Sequence, residues 1–392
     1  MFRIFYSEKD TTLYESTPYT NTGVDEILEI GKRISTSGSN LVKSRSLLKF
    51  DMSEVNAALS KYSVSLNNCK FILQLFTSHT KNLASPFTID CKLTGQDWRN
   101  GTGFLSDITT TDGASWATPS VSWSLDSKAG SLWISSSQNV QVNNSSIYVS
   151  GSGTGASWYA QVGSGGFNID QFNQSFFQQG GLSSGEVTKA NPTDINIDVT
   201  DAVKLWISGS AGHAIPNNGF LLKYSESDEA DDSVAGYIRY FSRDTHTIYV
   251  PRLTMYWDNS TFTTGSLTSA NIESFTVYTR IKPTYKDTEI AKIRIFARDK
   301  YPQKSPTNLY PIQTVNYLPT TTYYSVLDAA TDEVIIPYDD IYTKVSCDST
   351  SNYIHLDFNG FMPERNYRLE LKIVNGFEEQ YITDQIYFKV IR

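Results

Sequence analysis

Apolar and polar residues alternate at a period of two along most of this chain, which predicts strands rather than helices. Lys70-Phe71-Ile72-Leu73-Gln74-Leu75-Phe76 is apolar on both faces, the pattern of a strand central in a sandwich. Leu47, Leu48 and Phe50 form a buried strand that ends where Asp51 begins a turn, and Phe220 to Leu222 follow an Asn217-Asn218-Gly219 turn. In the last third the alternation is strongest, over Phe275, Val277, Thr279 and Ile281, then Ile293, Ile295 and Ala297. It returns over Tyr367, Leu369, Leu371 and Ile373 and over Ile386, Phe388 and Val390, with turns at Lys282-Pro283, Asn359-Gly360 and Asn375-Gly376. Helical spacing is confined to two short pieces. One starts at Ser53, a good N-cap, and runs through Val55 and Leu59. The other sets Val203, Trp206 and Ile207 at i, i+3, i+4, with Thr200 as cap and Gly209 as stop.

The fold class is therefore all-β. A length of 392 residues exceeds what one core organises and predicts more than one domain. We place a first β unit over 1–258, a polar linker over 259–270 and a second β-sandwich over 271–392. Between about 95 and 195, Gly, Ser, Thr and Gln dominate, with Trp98, Trp116, Trp123, Trp133 and Trp158 spread among them. A structureless loop of that length is rare inside a domain, so this is read as an insertion. Extra hairpins are expected in it around Ser131–Ile134 and Ser146–Val149.

Composition sharpens the picture. Aromatic residues make up 13% of the chain, which excludes disorder and suits half-buried strands. A net charge of −8 argues against nucleic acid as the main partner, because phosphate binding needs a basic face. No apolar run is long enough to span a membrane, and the opening residues Met1 to Tyr6 lack a secretory h-region. Cys69, Cys91 and Cys347 are an odd, sparse set, expected as free buried thiols.

Candidate chemistry is thin. His79, His213, His246 and His355 are isolated in sequence, so no catalytic residue, metal site or cofactor is assigned. Gly151-Ser152-Gly153-Thr154-Gly155-Ala156 lacks the Lys-Ser/Thr that a phosphate-cradling loop needs. Glu226, Asp228, Glu229, Asp231 and Asp232 match no calcium-loop spacing and read as a solvated loop. The aromatic residues of the insertion, Trp158 and Tyr159 above all, are the candidates for contact with a glycan or a neighbouring subunit. Their plainer reading is as plugs of the insertion's own core.

Two resemblances extend this reading. Ser44-Arg45-Ser46-Leu47-Leu48-Lys49-Phe50-Asp51, Asp198 to Trp206, Asn217 to Lys223, and Phe241-Ser242-Arg243-Asp244 running on to Pro251–Trp257 together resemble DNRLRE-type modules. These are β-jelly-rolls related to some carbohydrate-binding modules, which implies a jelly roll here. Trp98-Arg99-Asn100-Gly101-Thr102-Gly103 and Gly113-Ala114-Ser115-Trp116 resemble two further segments of that family, although many members carry an acidic residue where Asn100 stands. In the last third, Phe296–Pro302, Val334–Asp340, Cys347–Tyr353 and Met362–Arg368 are similar to the ends of structural proteins of contractile-tailed bacteriophages of marine bacteria. That similarity implies a non-enzymatic virion protein of the tail, baseplate or neck, assembled in the host cytoplasm. Its implied partners are other virion proteins, in several copies of a symmetric assembly, with no nucleic acid and no membrane. The rival expectation is a module that binds a host-surface glycan.

Overall fold

Strands are the main regular structure, and helix is confined to short pieces among the described residues. The computed structural model describes residues 1–34, 40–83, 86–106, 112–122, 132–135, 138–142, 145–162, 172–176, 193–208, 215–262, 275–307, 309–310, 316–376, 378–383 and 386–392. Trp123, His213, Gly209 and the part of the linker stretch from residue 263 onward lie outside the described residues. The chain divides into two units, Phe5–Thr254 and Met1–Ile4 with Met255–Arg392.

The first unit is built on a large antiparallel sheet. Its strands run in the order Asn173–Phe176, Phe87–Leu93, Phe220–Tyr224, Leu41–Lys49, Ile27–Ile34, Gly236–Phe241 and Thr77–Lys81, and Lys9–Tyr14 also pairs with Leu41–Lys49. A second sheet places Cys69–Leu75 between Ile195–Asp198 and Arg252–Trp257, with Phe2–Tyr6 beyond. The division between the units falls inside these last two strands. Leu47, Leu48, Phe50, Phe71, Leu73, Phe220, Leu221 and Leu222 are all fully buried, as a sandwich core requires.

Both helices form, with caps other than those expected. In Met52–Tyr62 the cap is Asp51, whose carboxylate accepts from the Ser53 backbone N–H at 2.8 Å; Ser53 already lies inside the helix. In Thr200–Ile207 the cap position is Val199. Thr200 instead accepts from the Phe71 N–H and donates to Asp198, tying the helix to the neighbouring strand. Trp206 faces inward, its ring centroid 4.8 Å from that of Phe220.

In the insertion, Gln138–Val142, Ser145–Gly151 and Ser157–Val162 form a three-stranded antiparallel sheet. The strand expected at Ser131–Ile134 does not form among its described residues, 132–134. Trp133 is instead drawn into a buried cluster with Trp98, Trp116, Leu13, Leu47 and Leu221, so packing overrides local alternation there.

The second unit holds two further sheets. One orders Phe275–Arg280, Ile290–Asp299, Asn352–Asp357 and Ser346–Cys347. The other orders Thr284–Lys286, Tyr387–Ile391, Arg365–Asn375, Thr322–Asp328 and Val334–Ile336, with Glu378–Ile382 also on Arg365–Asn375. Its core is aromatic: Phe361 packs on Phe2, Phe358, Tyr367 and Phe388, and Tyr285 packs on Phe358. Phe2 and Ile4 are both buried, so the first residues of the chain are part of this core. All three cysteines are buried thiols, and none forms a disulfide among the described residues.

Candidate functional site

The Trp- and Gly-rich motifs of the first unit converge on one side chain. Asn21 is fully buried, and its Oδ1 accepts from the Gly23 N–H at 3.1 Å and the Gly103 N–H at 3.0 Å. Its Nδ2 donates to the carbonyls of Asn100 and Ala114, each at 2.7 Å. Both lobes of the amide are thereby satisfied, which is what a buried Asn needs. Gly101 and Gly113 have positive φ of 79° and 85°, and a Cβ at either would lie within 2.4 Å of the Asn21 amide. Asn100 is engaged through both lobes of its amide. Its Nδ2 donates to the Gly23 carbonyl at 2.6 Å while its Oδ1 accepts from the Asp10 N–H at 3.0 Å. A carboxylate there would have no donor for Gly23.

Beside this hub lies a wall of indoles. Trp98 donates to the Asn218 carbonyl at 2.8 Å and Trp133 to the Ser115 carbonyl at 3.0 Å. Lys9 sits 4.5 Å from the Trp98 ring centroid and also donates to the Trp98 carbonyl. Trp158 is half-buried and packs against the same cluster, whereas Tyr159 on the same strand is buried. Burial pushes the Tyr159 phenol upward.

A buried charge cluster backs the wall. Arg45 lies on a strand whose middle is wholly buried, and its guanidinium binds Glu229 through Nε at 2.9 Å and Nη2 at 2.6 Å. Arg45 Nη1 donates to the Gly155 carbonyl at 2.6 Å, and the guanidinium lies 5.1 Å from Trp116 and 5.8 Å from Trp158. Gly155 permits this approach: a Cβ would come within 2.9 Å of both Arg45 Nη1 and Trp116. Lys223 joins Glu229 at 3.3 Å and lies 5.4 Å from the Trp158 ring. Burial alone would raise the Glu229 carboxyl, but Arg45 and Lys223 outweigh it and hold it below the usual range. Burial likewise lowers Lys223, with Glu229 opposing.

This corrects the reading of the acidic cluster as a solvated loop. Glu226–Ala230 is a short helix capped by Ser225, with Glu229 turned into the core. Lys32 closes its far end by donating to the carbonyls of Asp228 at 3.0 Å, Glu229 at 3.1 Å and Asp231 at 2.6 Å. Asp228 accepts from the Thr88 N–H at 2.8 Å. Of the five carboxylates, Glu226, Asp231 and Asp232 are exposed. A signal for Glu229 existed in the sequence: Arg45 and Lys223 each set a charge beside the apolar run of a strand, Leu47–Leu48 and Phe220–Leu222, and a charge buried there needs a counter-ion.

The described histidines stay apart. His79 lies near the Tyr237 ring, His246 is exposed beside Glu26, and His355 packs edge-on to Tyr353. Among the described residues, no group of three or more His, Cys, Asp or Glu side chains is placed to hold a metal ion. No helix among them is long and apolar enough to cross a membrane.

No family model matches the chain, and no curated protein does. Among solved structures, the adhesin domain of Epf from Streptococcus pyogenes aligns at 8% identity, with 100% of this chain and 91% of that chain covered and a TM-score of 0.16.

Proposed function

We propose that this chain is a non-enzymatic structural protein of a tailed-phage virion, in the tail, baseplate or neck, that works by docking to other virion proteins. The observation that carries the reading is the set of blocks in the second unit, Phe296–Pro302, Val334–Asp340, Cys347–Tyr353 and Met362–Arg368, and their similarity to phage structural proteins. The charges buried in the first unit support it, because they are engaged in packing. Arg45, Glu229 and Lys223 satisfy one another and brace the indole wall. Such a scaffold suits a part that must keep its shape in an assembly.

The glycan-binding alternative rests on free aromatic faces. Tyr159 is buried, and Trp158 has Arg45 and Lys223 over its ring, so this pair offers little area to a sugar. The test is peptide mass spectrometry of washed, intact particles from lysates in which the chain is made, with immunogold labelling to place it. Several copies per particle, labelled at the tail or neck, are expected. Absence from washed particles refutes the reading, and specific binding on a glycan array would favour the alternative.

A further inference from the structure

One face of a sheet in the second unit gathers cations in a chain whose net charge is −8. In Ile290–Asp299, successive side chains alternate between faces, so Lys292, Arg294, Phe296 and Arg298 share one face while Ile293, Ile295 and Ala297 are buried behind it. The register sets Tyr278 opposite Phe296 and Arg280 opposite Arg294 on one side, and Tyr353 opposite Arg294 and His355 opposite Lys292 on the other. Contacts across the face agree. Tyr278 and Phe296 stack at 5.3 Å, Arg298 lies 5.9 Å from the Tyr278 ring, and Lys292 sits 3.7 Å from the Tyr353 ring.

The charges on this face do not cancel. Asp348 bridges Lys292 at 2.7 Å and Arg294 at 2.6 Å, one carboxylate for two cations. Asp357 at the end of the face is buried and paired with Arg3. Arg280 and Arg298 are exposed and have no carboxylate partner among the described residues. His355 is held below its usual range by burial, with Lys292 and Arg294 adding to the effect, so it contributes no charge at neutral pH. The surplus is three positive charges: Lys292, Arg294, Arg280, Arg298 and Arg3 against Asp348 and Asp357.

We propose that this face, with Arg280 and Arg298 at its open positions, docks an acidic protein surface that presents carboxylates at alternate positions of a strand. The inference rests on the docking reading above and names the chemistry of one partner. In the register Arg298 faces Thr276 and Arg280 faces Arg294, so the two open cations stand four strand positions apart, roughly 13 Å, twice the roughly 7 Å at which an extended polypeptide repeats its side chains on one face. Arg beside aromatic residues is the composition of protein-interface anchors. A single-stranded nucleic acid would instead want a succession of open rings. Here Lys292 covers the Tyr353 ring, Phe296 stacks on Tyr278, and of the three rings Tyr278 alone is exposed, at 47%. A sugar polymer meets the same shortage of platforms.

The test is fluorescence anisotropy of the full chain with a labelled peptide of alternating Glu and Ser, beside the same peptide with Gln for Glu. The Glu peptide should bind at low salt, weaken as salt is raised and bind more tightly than the Gln peptide. Arg280→Glu with Arg298→Glu should weaken binding about tenfold or more, with the melting temperature unchanged because both side chains are exposed. Lys61→Glu, at an exposed site in the first unit, is the control and should leave binding unchanged. The inference is overturned if the Glu peptide fails to bind or the double variant binds it as wild type does. Tighter binding of a single-stranded oligonucleotide or of heparin than of the Glu peptide overturns it too. Presence in washed particles is scored separately, so either result can fail without the other.

Discussion

Replacing Glu229 by Ala removes the one anion shared by two buried cations. The Arg45, Lys223 and Glu229 side chains are 7%, 1% and 8% exposed. Deleting the carboxylate strands Arg45, with one remaining carbonyl partner at Gly155, and Lys223, with the Tyr224 carbonyl. Breaking a buried pair in this way costs about 3–5 kcal/mol, since the orphaned charge keeps its desolvation penalty. For a unit of this length that corresponds to a fall in melting temperature of roughly 6–20 °C. The assay is urea denaturation and calorimetry of Glu229→Ala beside Asp232→Ala, an exposed acidic site three residues on, which should lie within about 0.5 kcal/mol of wild type. Acid should mimic the substitution. The folded carboxyl lies below its unfolded value, so its contribution is complete above about pH 4.5 and disappears as pH falls through the folded value. If Glu229→Ala costs no more than Asp232→Ala, the charge cluster does not hold the first unit together, and the argument built on it fails.

Three further outcomes are expected. Asn21→Asp should destabilise the first unit by more than about 3 kcal/mol in urea titration, because it removes the two donors to Asn100 and Ala114 and sets an anion against their carbonyls; a variant as stable as wild type would contradict the hub. Burial, with Asp244 nearby, raises the Asp10 carboxyl to about 7, so its protonated form is favoured on folding: stability is greatest below about pH 4 and declines by about 4 kcal/mol as pH rises to 7. Asp10→Asn should abolish that part of the pH dependence, which denaturation at pH 5 and pH 8 would show. Trp206→Ala should cost about 3–5 kcal/mol, whereas Trp206→Phe should cost much less, because the buried indole N–H has no hydrogen-bond partner among the described residues to lose; calorimetry of the pair decides.

The strands were legible because period-two alternation is local: Phe71 to Leu75, Phe220 to Leu222 and Tyr367 to Ile373 lie where the pattern placed them. Helix positions were legible too, but their caps were not, since Asp51 and Ser53, two residues apart, each carry a capping oxygen and only geometry decides which one starts the helix. The motifs around Gly101 and Gly113 could be recognised without being understood. Their meaning depends on Asn21, about eighty to ninety positions away, and no local rule reaches that far. Glu229 was misread for a related reason. Set among Ser, Asp and Ala it looks like surface, and its partners Arg45 and Lys223 lie on separate strands. Trp133 shows the opposite failure, a residue with strand-like neighbours that a distant apolar cluster captured.

The position of Met1–Ile4 in the second unit bears on the order in which the protein can be completed. These residues leave the ribosome well before their partners, since Phe2 packs on Phe361 and Met1 bonds to Trp257 and Tyr342, positions far later in the chain. The first unit can fold while synthesis continues, but the second must hold a gap in its core until Met1–Ile4 are recruited. Closing a loop of this length is affordable, because its entropy grows only as the logarithm of the number of residues spanned. What it imposes is a waiting time, during which Phe361 lacks its ring contact with Phe2 and the aromatic core around it offers apolar surface to other nascent chains. A chain stalled before its last strands, or one whose first residues are held elsewhere by a fusion, should therefore aggregate through its second unit while its first unit remains native.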